Sequence, residues 1–194
     1  MNKAVFLDRD GVINIEKEYL FKIEDFEFIP GIFDSCRFLM EKGYLLIIIT
    51  NQAGIARNKY TEIDFERLNS WMLKQFNNQG IPIAKVYHCP HHPRFTGPCN
   101  CRKPKPGMIL QARLSFDLDL SQCILVGDKE GDIQAGVNAG IAYNILVRSG
   151  HPINENHTQA RLIIDSIKEL PVIFENNLPI SINATAHKFT SDNN

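Results

Sequence analysis

Five short, mostly apolar runs constrain the fold of this 194-residue chain more than any other feature of its sequence. They span residues 4–7, 45–49, 123–126, 143–147 and 162–164. Runs that are apolar throughout, rather than alternating with polar residues, are typical of strands that are buried on both faces of a parallel sheet. Since helical patterns separate the runs, the sequence predicts an α/β domain with right-handed crossovers.

The strongest helical pattern is an apolar stripe formed by Phe65, Leu68, Met72 and Phe76. Thr61 precedes the stripe and can cap the helix, because a threonine oxygen accepts from a free N–H group of the first turn. Further helices are predicted over residues 32–39, 108–116 and 133–139, and a capping box at residues 166–169 predicts a last short helix.

Composition and charge limit the possible functions. The hydrophobic fraction of 44% is typical of a globular protein, and a net charge of −1 argues against a general nucleic-acid binder. We recognise neither an export signal nor an apolar run of about 20 residues, so we expect a cytoplasmic protein with no membrane segment. One domain is predicted over residues 1–174, followed by a polar, loosely ordered tail over residues 175–194. Without a long apolar helical seam for dimerisation, we expect a monomer.

Two carboxylates, Asp8 and Asp10, follow the first predicted strand. Residues two apart in an extended chain point the same way, and open α/β sheets bind ligands beyond the carboxyl ends of their strands. Asp128 follows a later strand and would bring a third carboxylate to the same crevice. Three oxygen ligands with room for water are typical of a Mg2+ site, although Asp is also common as an ordinary turn residue in such loops.

Residues suited to phosphate follow other strands. Thr50, with Asn51 and Gln52 after it, offers a hydroxyl and backbone N–H groups for phosphate oxygens. Lys103, preceded by Arg102, is a point charge that could hold a phosphoryl group beside its nucleophile. Each residue alone could be an ordinary surface residue, but their occurrence together favours a phosphate site.

A loop over residues 89–101 is rich in cysteine, histidine and proline, and we call it the zinc loop. The candidate ligands are Cys89, Cys99 and Cys101 with either His91 or His92. Three thiolates and one imidazole are typical of a closed, structural zinc site, and the metal would fold a loop that has no core of its own. The other thiols, Cys36 and Cys123, are predicted to lie in the core.

In their order and spacing, these segments resemble the motifs of the haloacid dehalogenase (HAD) superfamily of phosphotransferases. The matching residues are Asp8-x-Asp10, Thr50, Lys103 and Gly127-Asp128-x3-Asp132. The resemblance implies a Rossmannoid three-layer fold around a central parallel sheet. It also implies that Asp8 is the nucleophile that forms an aspartyl-phosphate, and that Asp10 is the general acid and base.

The same resemblance implies roles for the other matching residues. Thr50 and Lys103 would stabilise the phosphoryl oxygens. Mg2+ would be held by Asp8, the backbone carbonyl of Asp10 and Asp128. Asp132 would orient Lys103 or a metal-bound water, or simply begin a helix.

Within the superfamily, the zinc loop followed by Arg102-Lys103-Pro104 is similar to two groups, the D-glycero-D-manno-heptose-1,7-bisphosphate 7-phosphatases and the histidinol-phosphate phosphatases. Residues 7–14, 50–57, 89–93, 101–108 and 126–129 resemble the heptose group. Ala53 also resembles the heptose group, since we expect Asp at this position in the histidinol group. The zinc-ligand pattern that both groups share favours His91 over His92. This resemblance implies a Mg2+-dependent phosphatase that removes the C7 phosphate of the heptose in nucleotide-activated heptose biosynthesis, as for lipopolysaccharide.

The heptose resemblance also implies a set of contacts with a small phosphorylated sugar. These are Glu16, Lys17, Glu18, Tyr19, Thr50, Asn51, Gln52, Ala53, Arg102 and Lys129, with Arg57 and Arg148 as further candidates for the distal phosphate. The segment from Thr50 to Lys103 is expected to contain one helix and the zinc loop. The sequence therefore leaves no room for a large cap domain, and we expect an open site.

Two other functions stay open. One is a histidinol-phosphate phosphatase, and the other is a non-catalytic zinc-folded module that binds phosphate. The presence of Asp8, Asp10, Thr50, Lys103 and Asp128 together argues against the second, because a degenerate domain would be expected to have lost at least one.

Overall fold

A computed structural model describes residues 1–176, so all but the first two positions of the predicted tail lie outside the described residues. The strands are β1 (Ala4–Leu7), β2 (Leu45–Asn51), β3 (Lys85–Cys89), β4 (Ile124–Gly127), β5 (Tyr143–Val147) and β6 (Leu162–Ile164). The helices are α1 (Ile32–Glu41), α2 (Glu62–Asn78), α3 (Pro93–Thr96), α4 (Gly107–Phe116), α5 (Glu130–Ala139) and α6 (Leu170–Glu175).

All six strands pair in parallel, in the order β3-β2-β1-β4-β5-β6. This confirms the predicted parallel sheet. The central strand β1 is flanked by β2 and β4, and Leu7 at its end aligns with Ile48 and Val126. From β1 the chain continues through β2 and β3 toward one edge of the sheet, and it then returns to pair β4 with the opposite side of β1. Open α/β sheets bind ligands where the strand order reverses in this way.

The sheet separates two hydrophobic cores, because successive residues of a strand face opposite sides. Val5 and Leu7 of β1 belong to the core that α1, α2 and α6 cover, whereas Ala4 and Phe6 belong to the core that α4 and α5 cover. The predicted strands are therefore apolar at most positions, and the fold has the three layers that were predicted.

The helix over the apolar stripe is confirmed. Phe65, Leu68, Met72 and Phe76 are all buried on α2, and Thr61 forms a capping box with Asp64. The predicted core positions of Cys36 and Cys123 are confirmed as well, since both thiols are buried.

The strand β3 was not predicted, and the expectation of one helix and a loop between Thr50 and Lys103 is corrected accordingly. Only Tyr87 and Cys89 of this strand are buried, whereas its other residues are partly or fully exposed, because β3 lies at the edge of the sheet. A search for continuous apolar runs misses such a strand. Among residues 1–176, the connections around β2 hold no cap domain, and no helix is long and apolar enough to cross a membrane.

Candidate active site

A cavity of about 380 Å³ opens at the carboxyl ends of the central strands. Every predicted catalytic residue lines it, and so does every predicted substrate contact except Arg57 and Arg148. The lining residues are Asp8, Arg9, Asp10, Glu16, Lys17, Glu18, Tyr19, Leu20, Thr50, Asn51, Gln52, Ala53, Gly54, Tyr60, Arg102, Lys103, Lys129, Gly131, Asp132 and His151. The structure thus brings together side chains from segments that are far apart in the sequence.

Lys103 joins two carboxylates at the base of the cavity. Its Nζ atom lies 2.9 Å from Asp8 Oδ1 and 2.7 Å from Asp132 Oδ1, and it donates to the Ile49 carbonyl oxygen at 2.9 Å. These contacts use all three donors of the ammonium. Although burial alone would lower the pKa of Lys103, Asp132 and Asp8 raise it, so the side chain stays charged.

The Asp8 carboxylate has one free oxygen. Both of its protein donors, Lys103 Nζ and the Arg9 backbone N–H at 2.8 Å, end on Oδ1. Among the described residues, Oδ2 receives no hydrogen bond. Burial raises the pKa of Asp8 to about 6, against the opposing charge of Lys103.

Asp10 is held by its neighbour in the sequence. The Arg9 guanidinium, which is 1% exposed, contacts both Asp10 oxygens at 2.9 and 3.0 Å. Asn14 donates to Oδ1 at 3.0 Å and Gln52 to Oδ2 at 3.2 Å. Burial alone would raise the pKa of Asp10, but Arg9 and these donors hold it below its usual range.

Gln52 connects Asp10 to Thr50. Its amide nitrogen donates to Thr50 Oγ1 at 2.8 Å as well as to Asp10, and its amide oxygen accepts from the Tyr60 hydroxyl. Asn51 is also anchored, because its side chain exchanges two hydrogen bonds with the backbone of Lys103, both of 3.1 Å. The strand-end residues are therefore held in fixed orientations.

The third carboxylate, Asp128, is fully buried against the backbone of the first loop. A Cβ atom on Gly11 would lie 2.5 Å from Asp128 Oδ2, so a glycine is needed there, and its φ of +82° also favours glycine. Asp128 Oδ1 is buried and has no hydrogen-bond partner among residues 1–176. Carboxylate oxygens of Asp8, Asp128 and Asp132 lie within 4.8 Å of one another. An unpartnered oxygen in an all-carboxylate group fits a hard divalent cation.

The predicted substrate contacts differ in how they are engaged. Lys17 Nζ is 2.5 Å from Glu27 Oε1, and Arg102 donates to the His91 carbonyl oxygen at 3.2 Å. Burial, followed by the nearby charge of Asp10, raises the pKa of Glu16 to about 7.

Two predicted arginines lie outside the cavity lining. Arg57 stands beside the cavity, where it donates to the Tyr19 hydroxyl at 2.8 Å and contacts His92 Nε2 at 3.0 Å. Arg148 is not among the lining residues either, and its guanidinium pairs with Glu155 and Asp165 at 2.7 and 2.8 Å. These two carboxylates, rather than a phosphate, satisfy its charge.

The zinc-loop residues form a compact cluster that fits a tetrahedral ion. Tetrahedral zinc with Zn–S bonds of 2.3 Å spaces its sulfur ligands about 3.8 Å apart. Cys89 Sγ lies 3.6 Å from Cys99 Sγ and 3.0 Å from Cys101 Sγ, the second distance being shorter than that spacing. His91 Nδ1 lies 3.7 Å from Cys89 Sγ and 3.4 Å from Cys101 Sγ. The cluster contains His91, whereas His92 begins the short helix α3.

Of the cavity residues that sequence reasoning did not single out, three carry polar or charged side chains. Arg9 stands between two singled-out aspartates, and its position was the available signal. Tyr60 carries no local signal of its contact with Gln52. His151 follows β5, after which only Arg148 was singled out, and its imidazole Nδ1 lies 2.6 Å from Asp128 Oδ2.

Comparison with known proteins agrees with this site. Residues 100–170 match the HAD-hydrolase-like family model. The D-glycero-alpha-D-manno-heptose-1,7-bisphosphate 7-phosphatase of Campylobacter jejuni is 57% identical over 145 residues, which are 75% of this chain and 82% of that relative. The D-glycero-beta-D-manno-heptose-1,7-bisphosphate 7-phosphatase of Haemophilus influenzae is 44% identical over 180 residues, which are 90% of this chain and 98% of the relative.

A solved structure supports the same fold. The D,D-heptose 1,7-bisphosphate phosphatase from B. bronchiseptica, complexed with magnesium and phosphate, superimposes with a TM-score of 0.77 at 25% identity. The match covers 91% of this chain and 99% of that one. The expectation of a HAD-like fold is confirmed.

Proposed function

Because this chain belongs to the D-glycero-D-manno-heptose-1,7-bisphosphate 7-phosphatase family, we propose that it hydrolyses the C7 phosphate ester of a D-glycero-D-manno-heptose 1,7-bisphosphate. The observation that carries the proposal is the convergence of Asp8, Thr50, Lys103 and Asp132 on one cavity. A non-catalytic phosphate-binding module would not need a nucleophile with a free oxygen beside a buried ammonium.

The first half of the reaction is assigned to the two aspartates. Asp8 attacks phosphorus, so that an O–P bond forms while the bond from phosphorus to the sugar oxygen breaks. Asp10 gives a proton to that leaving oxygen, so it must enter this step protonated, the form that the Arg9 guanidinium disfavours. Water then attacks the aspartyl-phosphate, Asp10 accepts a proton from the water, and Asp8 is regenerated with the release of phosphate.

Thr50 and Lys103 serve the transferring phosphoryl group. Both are fixed before the substrate arrives, Thr50 by the Gln52 amide and Lys103 by the two carboxylates. Because the three N–H groups of Lys103 are already engaged, this residue would act on the phosphoryl group through its positive charge. Preorganised donors stabilise a developing charge without reorganising during the reaction. Lys103 also holds the nucleophile in place through Asp8 Oδ1.

A Mg2+ ion would be held by Asp8, the backbone carbonyl of Asp10 and Asp128, whose free Oδ1 supports this assignment. When bound, it neutralises charge between the anionic nucleophile and the anionic substrate. Structural zinc is proposed at Cys89, His91, Cys99 and Cys101, where it fixes the loop ahead of Arg102.

The distal part of the substrate is assigned to the cavity mouth. Arg102 and Lys129 supply positive charge for the second phosphate. The segment from Glu16 to Tyr19 and the residues Asn51–Ala53 would contact the sugar. We further infer that the protein acts as a cytoplasmic monomer in the synthesis of nucleotide-activated heptose.

The α anomer is the favoured substrate. The relative named for the α anomer shares 57% identity with this chain, against 44% for the relative named for the β anomer. Both anomers belong in the test, because their shared C7 phosphate would meet the same catalytic residues.

Phosphate release should be measured from both heptose 1,7-bisphosphates and from histidinol phosphate, with and without Mg2+. We expect Mg2+-dependent release from the heptose substrates, with the α anomer faster and heptose 1-phosphate as the product by 31P NMR. Asp8→Asn should abolish release while the circular dichroism spectrum stays unchanged. Turnover of histidinol phosphate alone would favour the alternative substrate, and turnover of none of the three would refute the proposal.

A further inference from the structure

His151 makes two hydrogen bonds to one oxygen of Asp128. Its backbone N–H donates to Asp128 Oδ2 at 3.0 Å, and its imidazole Nδ1 lies 2.6 Å from the same oxygen. A carboxylate that already accepts from the backbone offers a lone pair to the ring, so Nδ1 is the donor in this contact. Nothing in the reaction described above uses this residue.

As a consequence, the two oxygens of the Asp128 carboxylate differ in their hydrogen bonding. Oδ2 has two donors, whereas Oδ1 is buried and has no partner. The terminal torsion of an aspartate is otherwise broad and nearly two-fold, so the two oxygens of an unrestrained side chain could exchange places. Two donors on Oδ2 fix which of the two oxygens is left without a partner among the described residues.

The loop that carries His151 is built for this close approach. A Cβ atom on Gly150 would overlap the Asp128 carboxylate, so the backbone can come near only because residue 150 is a glycine. Ser149 connects this loop to the loop that follows β1, since its hydroxyl donates to the Gly11 carbonyl oxygen at 2.7 Å. The far nitrogen of the ring, Nε2, lies 3.6 Å from Glu16 Oε1 at the cavity wall.

We propose that His151 is a positioning residue that orients Asp128 so that Oδ1 is presented to the catalytic divalent cation. Partners that hold a metal ligand from behind fix its orientation, and their loss typically weakens metal affinity about 10- to 100-fold. The inference rests on the proposed function in one respect, the assignment of Asp128 as a cation ligand. A rival reading, in which Glu16, Asp128 and His151 bind a second cation, predicts two equivalents of metal rather than one.

The test measures cation binding rather than turnover. Mn2+ binding to the zinc-loaded full chain is followed by electron paramagnetic resonance, and Mg2+ binding by calorimetry, both without substrate. His151→Ala should weaken binding about 10- to 100-fold. His151→Asn keeps an N–H donor near the position of Nδ1 and should bind nearly as tightly as the unmodified chain. His151→Gln carries its amide near the position of Nε2 instead, and should bind as weakly as His151→Ala.

The outcomes separate this inference from the proposed function. Asp128→Ala should lose the cation altogether; if it binds Mn2+ normally, the assignment of the ligand fails and the inference fails with it. If Asp128→Ala loses the cation but His151→Ala keeps normal affinity, only the inference is overturned. The inference alone is also overturned if His151→Asn binds the cation no more tightly than His151→Gln, or if two equivalents of metal bind per chain. Since the His151 side chain is 34% exposed, we expect these variants to fold, and thermal midpoints without added Mg2+ check this.

Discussion

Replacing Lys103 by methionine should destabilise the protein far more than a typical lysine substitution. The ammonium is 3% exposed and lies between the carboxylates of Asp8 and Asp132, which are 10% and 4% exposed. Lys103→Met keeps the bulk of the side chain but leaves both carboxylates buried without their cation. Removing one partner of a buried ion pair costs about 3–5 kcal/mol.

Urea unfolding followed by circular dichroism, without added Mg2+, measures this loss. With a slope of about 2 kcal/mol per molar urea, 3–5 kcal/mol lowers the midpoint by about 1.5–2.5 M. Lys74→Met on the exposed side of α2 is the matched control and should change stability by less than about 0.5 kcal/mol.

A double-mutant cycle sharpens the test. Asp132→Asn in the Lys103→Met background removes one of the two stranded carboxylates, so the double variant should lose less stability than the sum of the single variants. The coupling free energy should lie within about 0.5–3 kcal/mol. A loss below about 1 kcal/mol for Lys103→Met, or strictly additive single effects, would refute the reasoning that this ammonium balances two buried charges.

Three further predictions concern other parts of the chain. Cys99→Ser should lower the zinc content from about one ion per chain and destabilise the loop, because a closed structural site needs four protein ligands. Thr61→Ala should lower the free energy of unfolding by about 1 kcal/mol through loss of the cap on α2, where Asp64 donates its N–H to the Thr61 hydroxyl. Cys36 and Cys123 should resist alkylation at pH 8 until the protein unfolds, because burial raises their pKa to about 12 and about 11.

A specific result would contradict each of these three predictions. A zinc-free chain with an unchanged unfolding midpoint would contradict the structural role of the metal, and Cys36→Ser, outside the cluster, serves as the control for zinc content. An unchanged midpoint for Thr61→Ala would show that the cap contributes nothing, with Thr61→Ser as the variant that keeps the hydroxyl. Alkylation of both core thiols at the rate of a free thiol would show that the cores open readily.

Local sequence was enough for the elements whose pattern repeats along one segment. β1, β5 and β6 have the predicted limits, and α2 has the predicted buried stripe. Runs of this kind report burial directly, because a strand covered on both faces can hold only apolar residues. The edge strand β3 lacks such a run, since its partly exposed residues gain nothing from being apolar throughout.

The candidate site divides in the same way. Asp8, Asp10 and Asp128 could be singled out because strand ends are places of fixed geometry in a parallel sheet. Their partners could not, because Arg9, Tyr60 and His151 act through contacts whose distance and direction depend on the packing. The contact between His151 and Asp128 joins loops that follow two neighbouring strands, and it exists only because Gly150 lets the backbone approach.

By itself, the sequence determined the layered α/β architecture, the strand ends that carry carboxylates, and the candidate ligands of the zinc loop. Each of these depends on residue type and short spacing. The tertiary structure alone decided which side chains are charged, held or left free. It joins Lys103 to two buried carboxylates, pairs Arg148 with Glu155, and leaves Asp128 Oδ1 without a partner among residues 1–176. The physical reason is that burial and charge pairing are set by neighbours distant in sequence, so they are defined only once the sheet has brought those neighbours together.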